Sequence, residues 1–574
     1  MDQKLKIAIV KGYERICAWS DLLDEINVFP VADGDTGRNL RISLSPVRTL
    51  DSDTGRMTEK ILGTATGNAG NIAAAFFSRL FSAETVQDLP EAVKRGRDNA
   101  WASIAEPKDG TMLTLFDCLD LKMQGVAGDD PGKRLPAILR DLEETVRSTS
   151  VMLPELRAAD VVDAGALGMF IFFEGFLRSI VGNRDDHIQI ARLFGDQLKV
   201  SGKPGHGDSA GFCINTTLSP GAALPEINGK IKSLGQSVVT VKGEDEIRIH
   251  LHADDMDAVK ENLSGLGKLK GWRAEKMSAS IIKNKAYEKK GRVHIMTDAA
   301  GSITRQDAAA LGITLLDSYL VIGDSSFPET LYDAGKLYHA MTKGVPVSTA
   351  QASLFERHQC YQSARERFDQ TLYLTVGSFY TGNYKVAQSW CRKRDPEKKF
   401  HVMDTGAASG RLGLIAGIAA RYAALDRSME KVIRYTRKAI KASDELIFLD
   451  QLKYLAAGGR ISKTSGFFGD LLRFKPIISP QADGAKKVGM VRKTKDQLPF
   501  ALEYLKKRLP RTALIMVLLQ YSDNRERVEG EIKKGISNHF PGAKIQVKPL
   551  SITSGAHMGP GTWGIAFCPD MSME

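Results

Sequence analysis

The hydrophobic pattern of this chain changes its period twice, and no single fold satisfies all three patterns. In the first 198 residues apolar side chains recur at helical spacing over long stretches such as "GNIAAAFFSRLFSAET", "LPAILRDLEETVRSTSVML" and "ALGMFIFFEGFLRSIV". Between residues 205 and 285 the period falls to two. In "SVVTVKGEDEIRIHLHAD", Ile247, Ile249 and Leu251 face one way and Arg248, His250 and His252 the other. The helix-like "DDMDAVKENLSGLG" follows. From 291 to 574, apolar runs ending in small polar residues ("RVHIMTDAAGS", "QTLYLTVGS", "KFHVMDTGAASG", "RTALIMVLLQYS") alternate with helical stretches such as "SMEKVIRYTRKAIKASD". The joints "KVSGKPGHGDSAG" and "KNKAYEKKGR" separate the three regimes. A length of 574 residues also exceeds one core. The prediction is a multidomain chain. It has an all-α helical bundle or barrel over 1–198, a small α+β domain over 205–285, and an α/β domain over 291–574 with ligands expected at strand carboxyl ends.

The helical segment carries four glycine-bearing loops: "PVADGDTGRN", "TATGNAGN", "EPKDGTM" and "VVDAGALG". A bundle that gathers such loops at one end is building a site there. In the first, Asp33 and Asp35 alternate around Gly34, so two carboxylates can point at one hard cation such as Mg²⁺, which favours oxygen ligands and phosphate oxygens. The plain alternative is a surface turn, in which Asp-Gly pairs are common. The GxxxxGK[ST] spacing of a Walker loop is absent. Gly67 and Gly70 open a helical stretch, which leaves backbone N–H groups free for phosphate, and Gly110, Thr111 and Thr114 offer the same.

The formal net charge of +11 suits anionic small ligands and does not single out nucleic acid. The basic clusters "CRKRDPEKKF" and "LKKRLPR" read as solvated faces and turns, with no finger spacing and no aromatic-interleaved patch. Cys17, Cys118, Cys213, Cys360, Cys391 and Cys568 are scattered without a CxxC, which argues for a reducing compartment. The N-terminus lacks a signal-peptide core, and the strongest apolar run, "LGMFIFFEGFL", is broken by Glu174. A cytoplasmic protein is expected.

The helical segment resembles the nucleotide-binding domain of the dihydroxyacetone kinase family, and within it the catalytic subunit of bacterial fatty acid kinase. The stretches that carry the resemblance are "NVFPVADGDTGRN", "GNAGN", "EPKDGTMLT" and "LPELRAADVVDAGALGMFIFFEG". It implies that Asp33 and Asp35 hold magnesium against the phosphates of ATP. Thr36, Asn39, Gly67, Asn68, Gly70, Thr111 and Met112 would line phosphates and nucleoside, and Asp163 and Gly165 would close the pocket. Two departures stand out. Ala69 replaces the family's serine, and of the third acid upstream of the pair only Asn27 remains as a polar counterpart.

The middle segment resembles the middle domain of the same kinase chain through "GFCINTTL" and "VKGEDEIRIHLHADD". The resemblance points to Cys213, His250 and His252 as metal ligands, a donor set that suits Zn²⁺. The alternative is a solvated polar strand face beside an unrelated thiol. The last segment resembles the two-lobed DegV-type fatty-acid-binding proteins through "TDAAGSIT", "GVPVSTAQAS", "LTVGSFYTGNYKVAQ", "MDTGAASG", "LKYLAAGGRISK", "FKPIIS" and "SGAHMGPGTWG". Those proteins hold an acyl chain in an apolar tunnel. By resemblance Ser348, Thr349 and Ser378 would bond its carboxylate, Arg460 would neutralise or orient it, and His557 would stand near the exit. Ala299 and Ala352 depart from the usual serine and proline.

The resemblance implies a kinase that uses Mg·ATP to convert a long-chain fatty acid carboxylate into an acyl phosphate, with Asp33, Asp35, Arg460 and His557 as catalytic residues. Brief contact with a membrane surface for lipid exchange, and a homodimer, fit that reading. Two others stay open: a fatty-acid-binding or sensing protein with a poorly active kinase domain, and a small-polyol kinase of the dihydroxyacetone (glycerone) type.

Overall fold

The computed structural model describes residues 1–50, 54–124, 131–182, 187–200, 211–221, 224–243, 245–277, 292–457, 474–509 and 514–571. Most of the two joints, and Arg460, lie outside the described residues. The chain divides into two units, Met1–Lys283 and Asn284–Glu574. No described helix is long and apolar enough to cross a membrane.

The first unit begins with helices α1 (Gln3–Glu25), α2 (Thr36–Leu44), α3 (Thr54–Thr64), α4 (Gly67–Leu80), α5 (Leu89–Ser103), α6 (Met112–Met123), α7 (Pro131–Met152), α8 (Pro154–Ala159), α9 (Ala164–Ile180) and α10 (Ile190–Phe194). Their apolar stripes meet in one core that contains Phe76, Phe77, Phe116, Phe172 and Phe173. Helix α9 is apolar on nearly all sides because it lies in the centre of this core. Glu174, which interrupts its sequence, is fully buried, salt-bridged to Arg15 (2.8 Å) and Arg178 (2.6 Å) and hydrogen-bonded to His187 Nδ1 (3.0 Å), so a buried charge is paired rather than exposed. Close approach of backbones fixes α2 as well. A Cβ on Gly37 would lie 2.0 Å from the carbonyl oxygen of Ser20 in α1.

The rest of the unit is a four-stranded antiparallel sheet in the order β2–β3–β1–β4, built from β1 (Phe212–Pro220), β2 (Gln236–Lys242), β3 (Ile247–Ala253) and β4 (Gly267–Lys276). One face packs Ile214, Ile247, Ile249 and Leu251 against residues of helices α11 (Leu224–Lys232) and α12 (Met256–Ser264), including Ile231, Val259 and Leu263. The other face packs Val239 and Val241 on Ala75, Ile72 and Ile104 of the helical part. The alternation read from the sequence therefore separates two packed faces, and the His250–His252 face is not the solvated one of the plain alternative: the two rings are 1 % and 5 % exposed.

The second unit is α/β. Strands β5 (Val293–Asp298), β6 (Ile313–Leu316), β10 (Gln370–Thr375) and β11 (Phe400–Asp404) form a parallel sheet ordered β11–β10–β5–β6. A three-stranded sheet takes the order β8–β7–β9, from β7 (Ser318–Ile322), β8 (Ser325–Pro328) and β9 (Val347–Gln351). A six-stranded mixed sheet takes the order β14–β13–β12–β17–β15–β16, from β12 (Asp444–Phe448), β13 (Lys475–Gln481), β14 (Gly484–Val491), β15 (Ile515–Tyr521), β16 (Lys544–Pro549) and β17 (Trp563–Pro569). The parallel and the mixed sheets each have their own apolar core, which makes two lobes.

Candidate functional site

The loop from Asn27 to Asp35 is shaped by one amide. Asn27 is buried; its Nδ2 donates to the carbonyls of Phe29 and Val31, and its Oδ1 accepts from the N–H groups of Asp35 (3.1 Å) and Thr36 (3.3 Å). Asn27 thus closes the loop rather than standing in for a third acid. Gly34 takes a left-handed φ of 66°, which lets Asp33 and Asp35 flank a tight turn. Burial and the neighbouring Asp35 push the Asp33 carboxyl well above its ordinary range. The cation beside the pair is the half-exposed Arg38, 3.3 Å from Asp35. A carboxyl so placed resists ionising beside its neighbour unless a cation offsets the charge, and two carboxylates on one turn fit Mg²⁺.

The remaining glycine loops come to the same end of the helices. Asn39, one turn after Asp35 on α2, lies against Gly67: a Cβ there would sit 2.0 Å from Asn39 Nδ2. Gly67 itself has φ 62° and starts α4, whose N-cap Thr66 makes no side-chain cap bond. Asn68 Oδ1 is buried with no partner among the described residues. A Cβ on Gly70 would lie 2.1 Å from Ser43 Oγ. Thr111 caps α6 and Thr114 Oγ1 accepts from Gly110 N–H (2.8 Å), so these hydroxyls brace their own loop. Met112 is buried, and its Cε would be 2.6 Å from a Cβ on Gly165. Asp163 caps α9 through Ala166 N–H (2.7 Å); burial raises its carboxyl to about 7 against the pull of three backbone amides, including that of Met112. Asp163 therefore ties two helix starts together. Thr149 Oγ1, which no motif marks, accepts from Asp163 N–H (2.8 Å).

On the sheet, β1 and β3 pair Cys213 with His252 and Asn215 with His250, so all four side chains share one face. It is also the face of Val239, paired with His250, which packs on the helices. The sulfur and one ring nitrogen of each histidine lie within 4.8 Å of one another. Asn215 organises them: its Oδ1 accepts from His250 Nδ1 (3.0 Å) and its Nδ2 donates to Cys213 Sγ (3.6 Å). The His250 tautomer follows, because a protonated Nδ1 leaves Nε2 as a lone pair, and that atom is buried without a partner among the described residues. Burial, then His252, hold His250 down to about 3, a ring that stays neutral and ready to ligate. Burial, then Asp35 and Asp33, push the Cys213 thiol up to about 12. The acid pair is thus within electrostatic reach of the triad. A thiol and two imidazoles, one with its free nitrogen buried and unpartnered among the described residues, fit Zn²⁺.

In the second unit Thr349 Oγ1 and His557 Nε2 are 3.1 Å apart, joining β9 to helix Ile552–Met558. Ser348 is exposed and, as the strand neighbour of Thr349, points to the opposite face. Ser378 is exposed in the turn after β10; its N–H donates to the Asp404 carboxylate (3.2 Å), and no described bond links its hydroxyl to Thr349 or His557. Tyr338 was not visible from sequence. It is buried, its hydroxyl has no partner among the described residues, and it lies against Gly555, two residues before His557. Ala299 and Ala352 are buried at positions where the family has serine and proline.

Three family models match consecutive stretches of the chain: a DAK2 domain over residues 30–178, a middle domain like that of the A chain of fatty acid kinase over 209–284, and the uncharacterised DegV protein family over 292–570. The chain therefore joins a DAK2 domain, a fatty-acid-kinase-like middle domain and a DegV domain in one polypeptide. Among curated relatives it is similar to protein YloV of Bacillus subtilis, at 25 % identity over 55 % of this chain and 62 % of the relative. It is similar to the DegV domain-containing protein YteA of Lactococcus lactis at 26 % identity, over 47 % of this chain and 96 % of the relative. An uncharacterised protein of Mycoplasma pneumoniae is 26 % identical over 57 % of this chain and 66 % of its own length, so the chain spans about two thirds of such relatives. Among solved structures, a fatty-acid-binding DegV family protein from Thermus thermophilus is 21 % identical, covering 48 % of this chain and 99 % of that one with a TM-score of 0.46.

Proposed function

We propose that this protein transfers the γ-phosphoryl group of ATP to the carboxylate of a fatty acid held in its DegV domain. The observation that carries the reading is the packing, within the first unit, of the sheet face that bears Cys213, His250 and His252 on the helical part whose loops carry Asp33 and Asp35, in segments that match the DAK2 and fatty acid kinase middle-domain models. A carboxylate oxygen attacks the γ-phosphorus, the bond to the β-phosphate bridging oxygen breaks, and its electron pair leaves with ADP. The nucleophile is ionised at neutral pH, so no strong general base is required. Catalysis is then positioning and charge neutralisation. Asp33 and Asp35 would hold Mg²⁺, which when bound offsets negative charge on the phosphates. Asn27 keeps the two acids in register, Asn39 and the Gly67–Gly70 turn shape the phosphate loop, and Asp163 locks α6 to α9 beside it. Cys213, His250 and His252 would hold Zn²⁺. Thr349 and His557 are offered for the fatty acid carboxylate, together with Ser378 and Arg460.

One observation favours a second reading, a lipid sensor that binds nucleotide without turning it over. Ala69 removes one hydroxyl from the phosphate loop, and the third acid position is taken by a structural amide. ADP release, measured with Mg·ATP with and without a long-chain fatty acid, separates the two. Release that depends on fatty acid and drops by about a hundredfold or more in Asp33→Asn and Asp35→Asn supports the kinase. Bound nucleotide without release supports the sensor, and release driven by dihydroxyacetone instead would support a polyol kinase.

A further inference from the structure

The face of β3 that carries His252 and His250 continues to Arg248. In the ladder, Arg248 stands opposite Thr217 on β1 and Val241 on β2. Val241 packs on Ala75, Leu62 and Ile72, so Arg248 shares a face pressed against α3 and α4. Its guanidinium reaches the turn between those helices, where Nη2 donates to the carbonyl of Ala65 at 3.4 Å. That turn leads directly into Gly67. The strand face therefore spans the mouth of the helical domain, with His252 near Asp35 at one end and Arg248 at Ala65 at the other, about 13 Å of strand apart.

Arg248 lacks what a half-buried guanidinium needs. Among the described residues no carboxylate lies within salt-bridge distance of it; its neighbour Glu246 is paired with Lys270. One long bond to a carbonyl engages one of five N–H donors. A charge taken partly out of water without a partner is costly, and the cost is removed when an anion binds. The planar fork of arginine matches phosphate oxygens in particular.

We propose that Arg248 is a phosphate-binding residue of the nucleotide site, supplied by the middle domain and facing the Gly67 turn opposite the acid pair. The inference rests on the ATP reading given above. It makes the sheet part of the nucleotide site rather than a neighbour of it, and the middle domain reads phosphate through Arg248 while the helical domain holds the cation.

The test titrates the full-length protein with adenosine, AMP, ADP and ATP in excess Mg²⁺, by calorimetry. Wild type is compared with Arg248→Ala, Arg248→Lys and Arg248→Gln. Lys260→Ala removes an equal charge from the exposed side of α12, which packs on the other face of the sheet, as a control. ATP affinity should fall roughly ten- to a hundredfold in Arg248→Ala and Arg248→Gln, with adenosine affinity unchanged and the loss growing with each phosphate. Arg248→Lys should recover part of the loss, and Lys260→Ala should match wild type. Wild-type ATP affinity in both Arg248→Ala and Arg248→Gln overturns the inference and leaves the kinase reading standing. A wild type that binds no ATP removes both. An equal loss for adenosine marks Arg248 as structural, and a loss confined to fatty acid affinity assigns its anion to the lipid; either result overturns the proposal.

Discussion

Replacing Glu174 by glutamine removes one charge from the centre of the helical domain and leaves two guanidinium groups and an imidazole facing a neutral amide. In the wild type the carboxylate is fully buried and receives Arg15 Nη2 at 2.8 Å, Arg178 Nε at 2.6 Å, His187 Nδ1 at 3.0 Å and the N–H of Ile188 at 2.9 Å. Burial alone would raise its pKa; Arg15, His187 and the Ile188 amide outweigh burial and hold it at about 2, against an ordinary value of 4.5. That gap converts to about 3 kcal/mol at 1.36 kcal/mol per pH unit, in line with the roughly 3–5 kcal/mol lost when a buried pair is broken. The sign follows from the depressed folded-state pKa. The stabilisation is complete above pH 4.5, fades as the pH falls from 4.5 towards 2, and is absent below. Hydrogen exchange of peptides from α1 and α9, corrected for intrinsic rates, reads it locally. At pH 7 protection should fall on the order of a hundredfold in Glu174→Gln, since 1.4 kcal/mol is tenfold, and the difference between variants should shrink as the pH is lowered through 4. Unchanged protection at pH 7, or a difference that persists undiminished to pH 3, would refute the reasoning.

Four more substitutions test the remaining sites. Asn215→Ala should lower the affinity of the full-length protein for Zn²⁺ by about ten- to a hundredfold, the usual cost of removing a partner behind a metal-ligating histidine; competition with a chromophoric chelator measures it, and wild-type affinity would show that Asn215 does not set the His250 tautomer. In the DegV domain, Thr349→Val and His557→Ala should each weaken long-chain fatty acid binding by about tenfold or more, since a hydrogen bond to a charged group is worth roughly 1.5–3 kcal/mol, whereas Ser348→Ala on the opposite strand face should change nothing; equal effects in all three would reject the Thr349–His557 pair as the head-group site.

The architecture was legible because periodicity is local. A 3.6-residue period in "ALGMFIFFEGFL" and a two-residue period in "IRIHLH" are properties of neighbours in the chain, and both survive into α9 and β3. The acid pair was legible as two carboxylates at alternate positions and His250 and His252 as neighbours on one strand face, whereas Cys213 joined them only through the family resemblance. What stayed hidden depends on register between distant segments. Asn215 looks like any polar residue on a strand until β1 is laid against β3 and it falls opposite His250. Glu174 reads as an interruption of an apolar run, since its partners Arg15 and His187 lie elsewhere in the sequence. Ser348 and Thr349 look like one tandem of hydroxyls, yet the pleat sends them to opposite faces, and Tyr338 sits in a helix with no motif at all.

The amide of Asn27 has a consequence for how the acid loop meets its ligands. An acidic loop that depends on its cation for shape must reorder at each arrival and departure, and exchange is then slowed by that rearrangement. Here both ends of the loop are fastened by a neutral side chain that does not titrate and whose bonds are all to backbone groups of the loop. On the proposed reading the cradle would stand ready before a cation comes and after it goes, so metal and nucleotide would trade places at rates set by diffusion and dissociation, and successive turnovers would begin from the same geometry.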